Sequence, residues 1–140
     1  MIKVCHISSA HPPFDVRIFH KECVSLAQAG FDVSLVITHD KHETVQGVKM
    51  IPLPPTKGRI HRMVIKTYFA FYRALKTKSK IYHFHDPELI ILGLMLKVKG
   101  KKVIYDIHEN NSASILSKPY IRSKVLKELI FVFVDLQVYA

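Results

Sequence analysis

An alternation constrains this chain more than any other feature. Short runs rich in β-branched and aromatic residues take turns with longer segments whose apolar residues recur every three or four positions. Strand-like runs occupy residues 2–8 (IKVCHIS), 31–38 (FDVSLVIT), 48–52 (VKMIP), 80–84 (KIYHF) and 102–107 (KVIYDI). Several are apolar at consecutive positions, which suits strands covered by helices on both faces. The chain has 140 residues, 49% of them hydrophobic, enough for one domain with a substantial core.

Between the first two strands, Phe19, Cys23, Leu26 and Ala27 recur at helical spacing, and Gly30 stands where a left-handed C-cap ends a helix. After the breaker-rich "PLPPTKGR", residues 60–78 carry Ile60, Val64, Tyr68, Phe71, Tyr72 and Leu75 on one apolar stripe, predicted to face the core. In "HDPELIILGLMLKVKGKK", Asp86 is placed to cap a helix, Pro87 suits its first position, Glu88 meets its dipole and Gly100 ends it. A further apolar helix is expected over 123–134, and "DLQVYA" reads as the start of another strand. The order predicts an α/β fold, a Rossmann-like open, mainly parallel sheet with helices on both faces.

In such a sheet the first and fourth of these strands are neighbours where the winding reverses, and ligands bind beyond their carboxyl ends. Those ends bring Ser8, Ser9 and His11 together with His83, His85 and Asp86, and the fifth strand adds Asp106, His108 and Glu109. Asp15 and Arg17 extend the first of these connections; they form a ligand site or simply pair with each other. Dinucleotide binding is disfavoured, because His11, Pro12 and Pro13 stand where a G-x-G-x-x-G turn would follow the first strand. A phosphate-binding G-x-x-x-x-G-K loop is absent as well.

The strings "HISSAHPPFDVRIFHKE" and "YHFHDPELIILGLMLKVKGKKVIYDIHE" resemble the N-terminal domain of bacterial family-four glycosyltransferases, the retaining GT-B enzymes, in the group that builds surface polysaccharides. The resemblance covers nearly the whole chain. It implies an acceptor-binding half over residues 1–140, with the donor-binding C-terminal domain absent from this chain and the fragment inactive alone. It further implies that His108 is the strand-ending histidine that approaches the transferred sugar. Ser9, His11, Asp15, Arg17, His85, Asp86 and Glu109 would line the acceptor side. The implied partner is a saccharide or lipid-linked acceptor; no cofactor or metal is implied in this half, and a nucleotide sugar would be held mainly by the second domain.

Three other features bear on function. A net charge of +10 favours an anionic partner. On the long helix, Arg62, Lys66, Arg73, Lys76 and Lys80 fall within about 40° either side of one line, beside Phe69. This is either a solvated basic face or a surface for anionic lipid headgroups. Metal-dependent hydrolysis through His83, His85, Asp86, His108 and Glu109 is an alternative resting on residue type alone, as is a basic anion-binding module. Specific nucleic-acid binding lacks a recognised module. Two cysteines in no disulfide or zinc pattern, no signal peptide, and apolar runs well below the roughly 20 residues of a spanning helix point to the cytoplasm, or the inner face of the membrane.

Overall fold

A computed structural model describes residues 1–106. The helix expected over 123–134, the strand after it, and His108 and Glu109 lie outside the described residues. Among the described residues six strands form one sheet: β1 (Lys3–Ile7), β2 (Asp32–Thr38), β3 (Glu43–Val45), β4 (Val48–Leu53), β5 (Ile81–Phe84) and β6 (Lys102–Tyr105), in the order β3-β4-β2-β1-β5-β6. All neighbours run parallel except the β3–β4 pair. The expected Rossmann-like α/β architecture is therefore present. β1 and β5 are adjacent, with His6 opposite His83 in register, so the winding reverses between them.

β3 escaped the sequence reading. Its three residues are too short to show a period, and Gln46-Gly47 is a less common form of the two-residue hairpin turn. Gln46 (φ 49°) and Gly47 (φ 82°) both take the positive φ that a type I′ turn demands.

Among the described residues three helical segments cover the sheet. α1 begins as a widened π-helical stretch, Val16–Cys23, and continues as α-helix over Val24–Gln28. It ends as expected at Gly30, where φ is +89° and the Phe31 amide reaches back to Leu26 O (3.1 Å) in a Schellman closure. α2 comprises Arg59–His61, a π-helical turn Arg62–Lys66, and Thr67–Lys76. After β5 a 3₁₀ turn, Pro87–Leu89, leads into α3 (Ile90–Val98).

Two cores result, one on each face. Ile18, Phe19 and Cys23 of α1 pack on Val33, Leu35 and Ile37 of β2, while Ala70, Ala74, Leu92 and Leu96 of α2 and α3 pack on Cys5, Ile7, Val36, Tyr82 and Phe84. Val33, Leu35, Val36 and Ile37 are fully buried, as apolar residues on both faces of β2 require.

The stripe predicted to bury α2 is corrected by the structure. Ile60, Val64, Tyr68 and Tyr72 are 51–79% exposed. The inward row is instead Lys66, Thr67, Ala70 and Ala74, with Phe71 and Leu75 flanking it. Periodicity weighs residues by hydrophobicity, whereas a helix lying close to a sheet selects small side chains at the contact.

Candidate functional site

Two polar clusters form at the carboxyl ends of β1 and β5. The first joins the connection after β1 to the connection after β5, 77 to 79 residues apart in sequence. Asp86 is its centre. It is buried, and its Oδ2 accepts from the Ser8 hydroxyl and from the Ser9 amide, both at 2.8 Å. The Ser8 hydroxyl thereby gives its proton to Asp86 and can only accept from the His11 amide (3.2 Å). His11 Nδ1 lies 3.0 Å from that same oxygen and 3.1 Å from Asp86 Oδ1, which assigns the ring proton of a neutral His11 to Nδ1.

This corrects the role of Asp86. Although it stands at the N-cap position, it makes no side-chain capping bond, because its carboxylate is engaged by the β1 connection.

Glu88 continues the network. Its Oε1 accepts from the Ser9 hydroxyl and pairs with Arg62 at 2.9 Å, without the alignment of a hydrogen bond. Lys66 donates to Ser9 O at 2.7 Å from a 3% exposed position. Burial holds its ammonium pKa below the usual lysine value; Arg62 adds to this, while Glu88 and Asp86 oppose it. Arg62 and Lys66 are therefore not on the outward basic face assigned to them by helical periodicity. Glu88 holds Arg62 and the Ser9 carbonyl holds Lys66, whereas Arg73 and Lys76 are directed away from the network; Lys80 is exposed as well, but it lies past the end of α2 at Lys76 and is not on that helix.

The second cluster sits beside the first, on the face covered by α1. Asp15 caps this helix: its Oδ1 accepts the amides of Arg17 and Ile18, both at 2.9 Å. It serves as a cap rather than as a partner of the Arg17 guanidinium, since a short carboxylate at an N-cap satisfies amides that have no helical partner. In the widened first turn, residues five apart share a face, and Arg17 Nε meets Glu22 Oε1 at 3.2 Å. Arg17 Nη2 also donates to both oxygens of Asp106, at 2.8 and 2.7 Å. Arg17 thus already holds two carboxylates.

Beneath it lie three imidazoles. His6 Nδ1 and His85 Nε2 are 3.1 Å apart, and the His83 ring centroid is 4.6 Å from that of His6 and 4.4 Å from that of His85. Burial and the neighbouring His83 push the His6 pKa down to about 3, so it is neutral. Burial is also the main cause that raises Glu22 to about 7, aided by Asp106 and opposed by Arg17.

The structure thus brings Ser9, His11 and Asp86 together, and places His85 beside them on the same sheet edge, facing His6. Glu22 was missed in the sequence, while His6 and Glu88, though both stand within the polar strings read there, were given no role in a site. A His-x-His strand beside a histidine in the adjacent strand was a readable signal for His6; nothing local marks Glu22. The ligand set of the hydrolase alternative is divided, with His83 and His85 in one cluster and Asp86 in the other. Among the described residues, a separate groove of about 530 Å³ lies over the other face, between α2 and the strands, lined by Lys3, Asp32, Lys49, Phe69, Tyr72 and Arg73.

No protein-family model and no curated protein sequence matches the chain. Among solved structures, it is similar to sucrose-phosphate synthase from Thermosynechococcus elongatus, with a TM-score of 0.63 and 13% identity over 93% of this chain. The chain spans 39% of the length of that structure. At this identity the likeness is one of fold alone, that of a mostly parallel α/β sheet.

Proposed function

We propose that this chain is the acceptor-side half of a retaining GT-B glycosyltransferase of the family-four kind. It would receive a sugar from a nucleotide-sugar donor onto a saccharide or lipid-linked acceptor in surface polysaccharide synthesis, at the inner face of the membrane. The observation that carries this reading is the Asp86 network. Carboxylates, hydroxyls, an imidazole and two cations crowd the edge where β1 and β5 diverge, in a fold shared with a sugar-transferring enzyme. Dense, alternating donors and acceptors suit a polyhydroxylated ligand better than an apolar one.

Glycosyl transfer requires stabilisation of positive charge on the sugar and negative charge on the leaving phosphate. In this reading His108, which follows β6 by three residues, positions sugar or acceptor hydroxyls, and Glu109 and His11 assist on the acceptor side. The nucleotide belongs to a second domain. The lack of a glycine-rich turn after β1 supports that division.

Two-dimensional NMR of the chain tests the proposal. Titrated saccharides, free and carried on a polyprenyl phosphate, should shift the amides of Ser9, His11 and Glu88. Tight stoichiometric binding of a nucleotide sugar by the chain alone, measured by calorimetry, would overturn it.

A further inference from the structure

The three histidines on the α1 face converge in a way that a packed core does not require. His6 and His83 are register partners on adjacent parallel strands, and His85 follows His83 by two residues, so all three rings leave one face of the sheet. The widened turn of α1 lays Glu22 over them. One ligand atom from each of His6, Glu22, His83 and His85 lies within 4.8 Å of every other.

Glu22 Oε2 is the hub. It is 3.7 Å from His6 Nδ1, 3.6 Å from His85 Nε2 and 4.0 Å from His83 Nδ1. A tetrahedral ion with bonds of about 2.0–2.1 Å holds its ligand atoms about 3.3 Å apart, so small side-chain movements would close these distances onto one centre. From this geometry we propose that His6, Glu22, His83 and His85 form a four-ligand site for a divalent cation of the zinc class. Three imidazole nitrogens and one carboxylate oxygen favour a borderline transition ion over magnesium or calcium, which take oxygen ligands.

The surroundings are those of a supported site. Arg17 Nε binds Glu22 Oε1 and leaves Oε2, which is buried without a hydrogen bond, turned toward the imidazoles. Asp106 Oδ2 lies 3.5 Å from His85 Nδ1 and 3.9 Å from His83 Nε2, the far nitrogens of two proposed ligands. A carboxylate behind a metal-binding imidazole fixes its tautomer and raises its basicity, and Arg17 in turn holds that carboxylate. With four protein ligands the site is closed, which is the form of a structural centre. Its ion would clamp β1, β5 and α1 directly behind the Asp86 network.

The test is stoichiometric. Chelator-dialysed chain is titrated with Zn²⁺ by calorimetry and with Co²⁺ by visible absorption, where four-coordinate cobalt gives intense bands. One equivalent should bind, with those bands and a raised melting temperature. Glu22→Gln keeps the side-chain shape and its contact with Arg17, and His83→Gln removes one imidazole; each should weaken binding at least tenfold while circular dichroism stays that of the parent. His42→Asn, at an exposed site between β2 and β3, should change nothing. Failure to bind one equivalent overturns the proposal, and so does binding that both ligand variants retain or that His42→Asn removes.

Discussion

Asp86 shows how much one side chain decides. A single buried carboxylate receives the Ser8 hydroxyl, the Ser9 amide and His11, so removing it strands a buried backbone donor as well as two side chains. Asp86→Ala should lose about 1–3 kcal/mol in urea unfolding, the cost of leaving a buried donor without an acceptor. A change within 0.5 kcal/mol, roughly that of a surface substitution, would mean the network is solvated. Gly93 is the apolar counterpart. Alanine normally favours a helix interior over glycine by roughly 0.5–1 kcal/mol. Here an added Cβ would sit 2.4 Å from the Phe84 ring, which is fully buried and stacked on Tyr105 at 4.6 Å. Overpacking of this kind costs about 1–3 kcal/mol, so Gly93→Ala should destabilise, and a gain in melting temperature would refute the packing. Lys66 gives a pH dependence. Its folded pKa lies below the unfolded value near 10.5, so between the two the unfolded chain binds more protons and stability rises with pH. The destabilisation from its buried charge is complete below the folded pKa and is relieved as pH climbs toward 10.5. Relative to Lys66→Met, the parent should gain stability over that alkaline range; parallel urea midpoints would contradict this.

At the scale of elements, helix boundaries were legible and helix faces were not. Gly30 marked the end of α1 because its left-handed backbone is a local requirement. Asp15 caps α1 and contributes about 1 kcal/mol there, so Asp15→Ala should cost that much and Asp15→Asn far less, by thermal unfolding. α2 misled because it carries two candidate rows. The larger apolar row, Ile60, Val64, Tyr68 and Tyr72, points outward, and the Lys76 ammonium lies 4.5 Å from the Tyr72 ring centroid. Aromatic rings beside cations suit an anionic lipid interface. The chain should co-sediment with vesicles containing anionic lipid and not with zwitterionic ones, and Tyr68→Ser with Tyr72→Ser should abolish this; equal sedimentation with both vesicle types would exclude the lipid contact. No helix among the described residues is long and apolar enough to cross a membrane.

For the whole molecule, the sheet order fixes which chemistry meets. β1 and β5 are joined by long-range pairing, with 73 intervening residues folded into both layers between Ile7 and Ile81. β2 and β1 lie at the centre of the described sheet, buried along most of their length, while β3 is a three-residue edge strand. Amide exchange should therefore be slowest in Val33–Ile37 and fast in Glu43–Val45; equal protection would mean that the edge belongs to the same cooperative unit as the centre. What the sequence by itself determined was the alternation, the parallel class and the edge where the polar loops gather. Those follow from periodicity and turn chemistry, which act within a few residues. Only the tertiary structure decided that Glu22 covers three histidines, that Asp86 binds across the sheet instead of capping its own helix, and that Lys66 turns inward. These depend on strand register and helix rotation, which are set when the two cores pack and leave no mark at any single position.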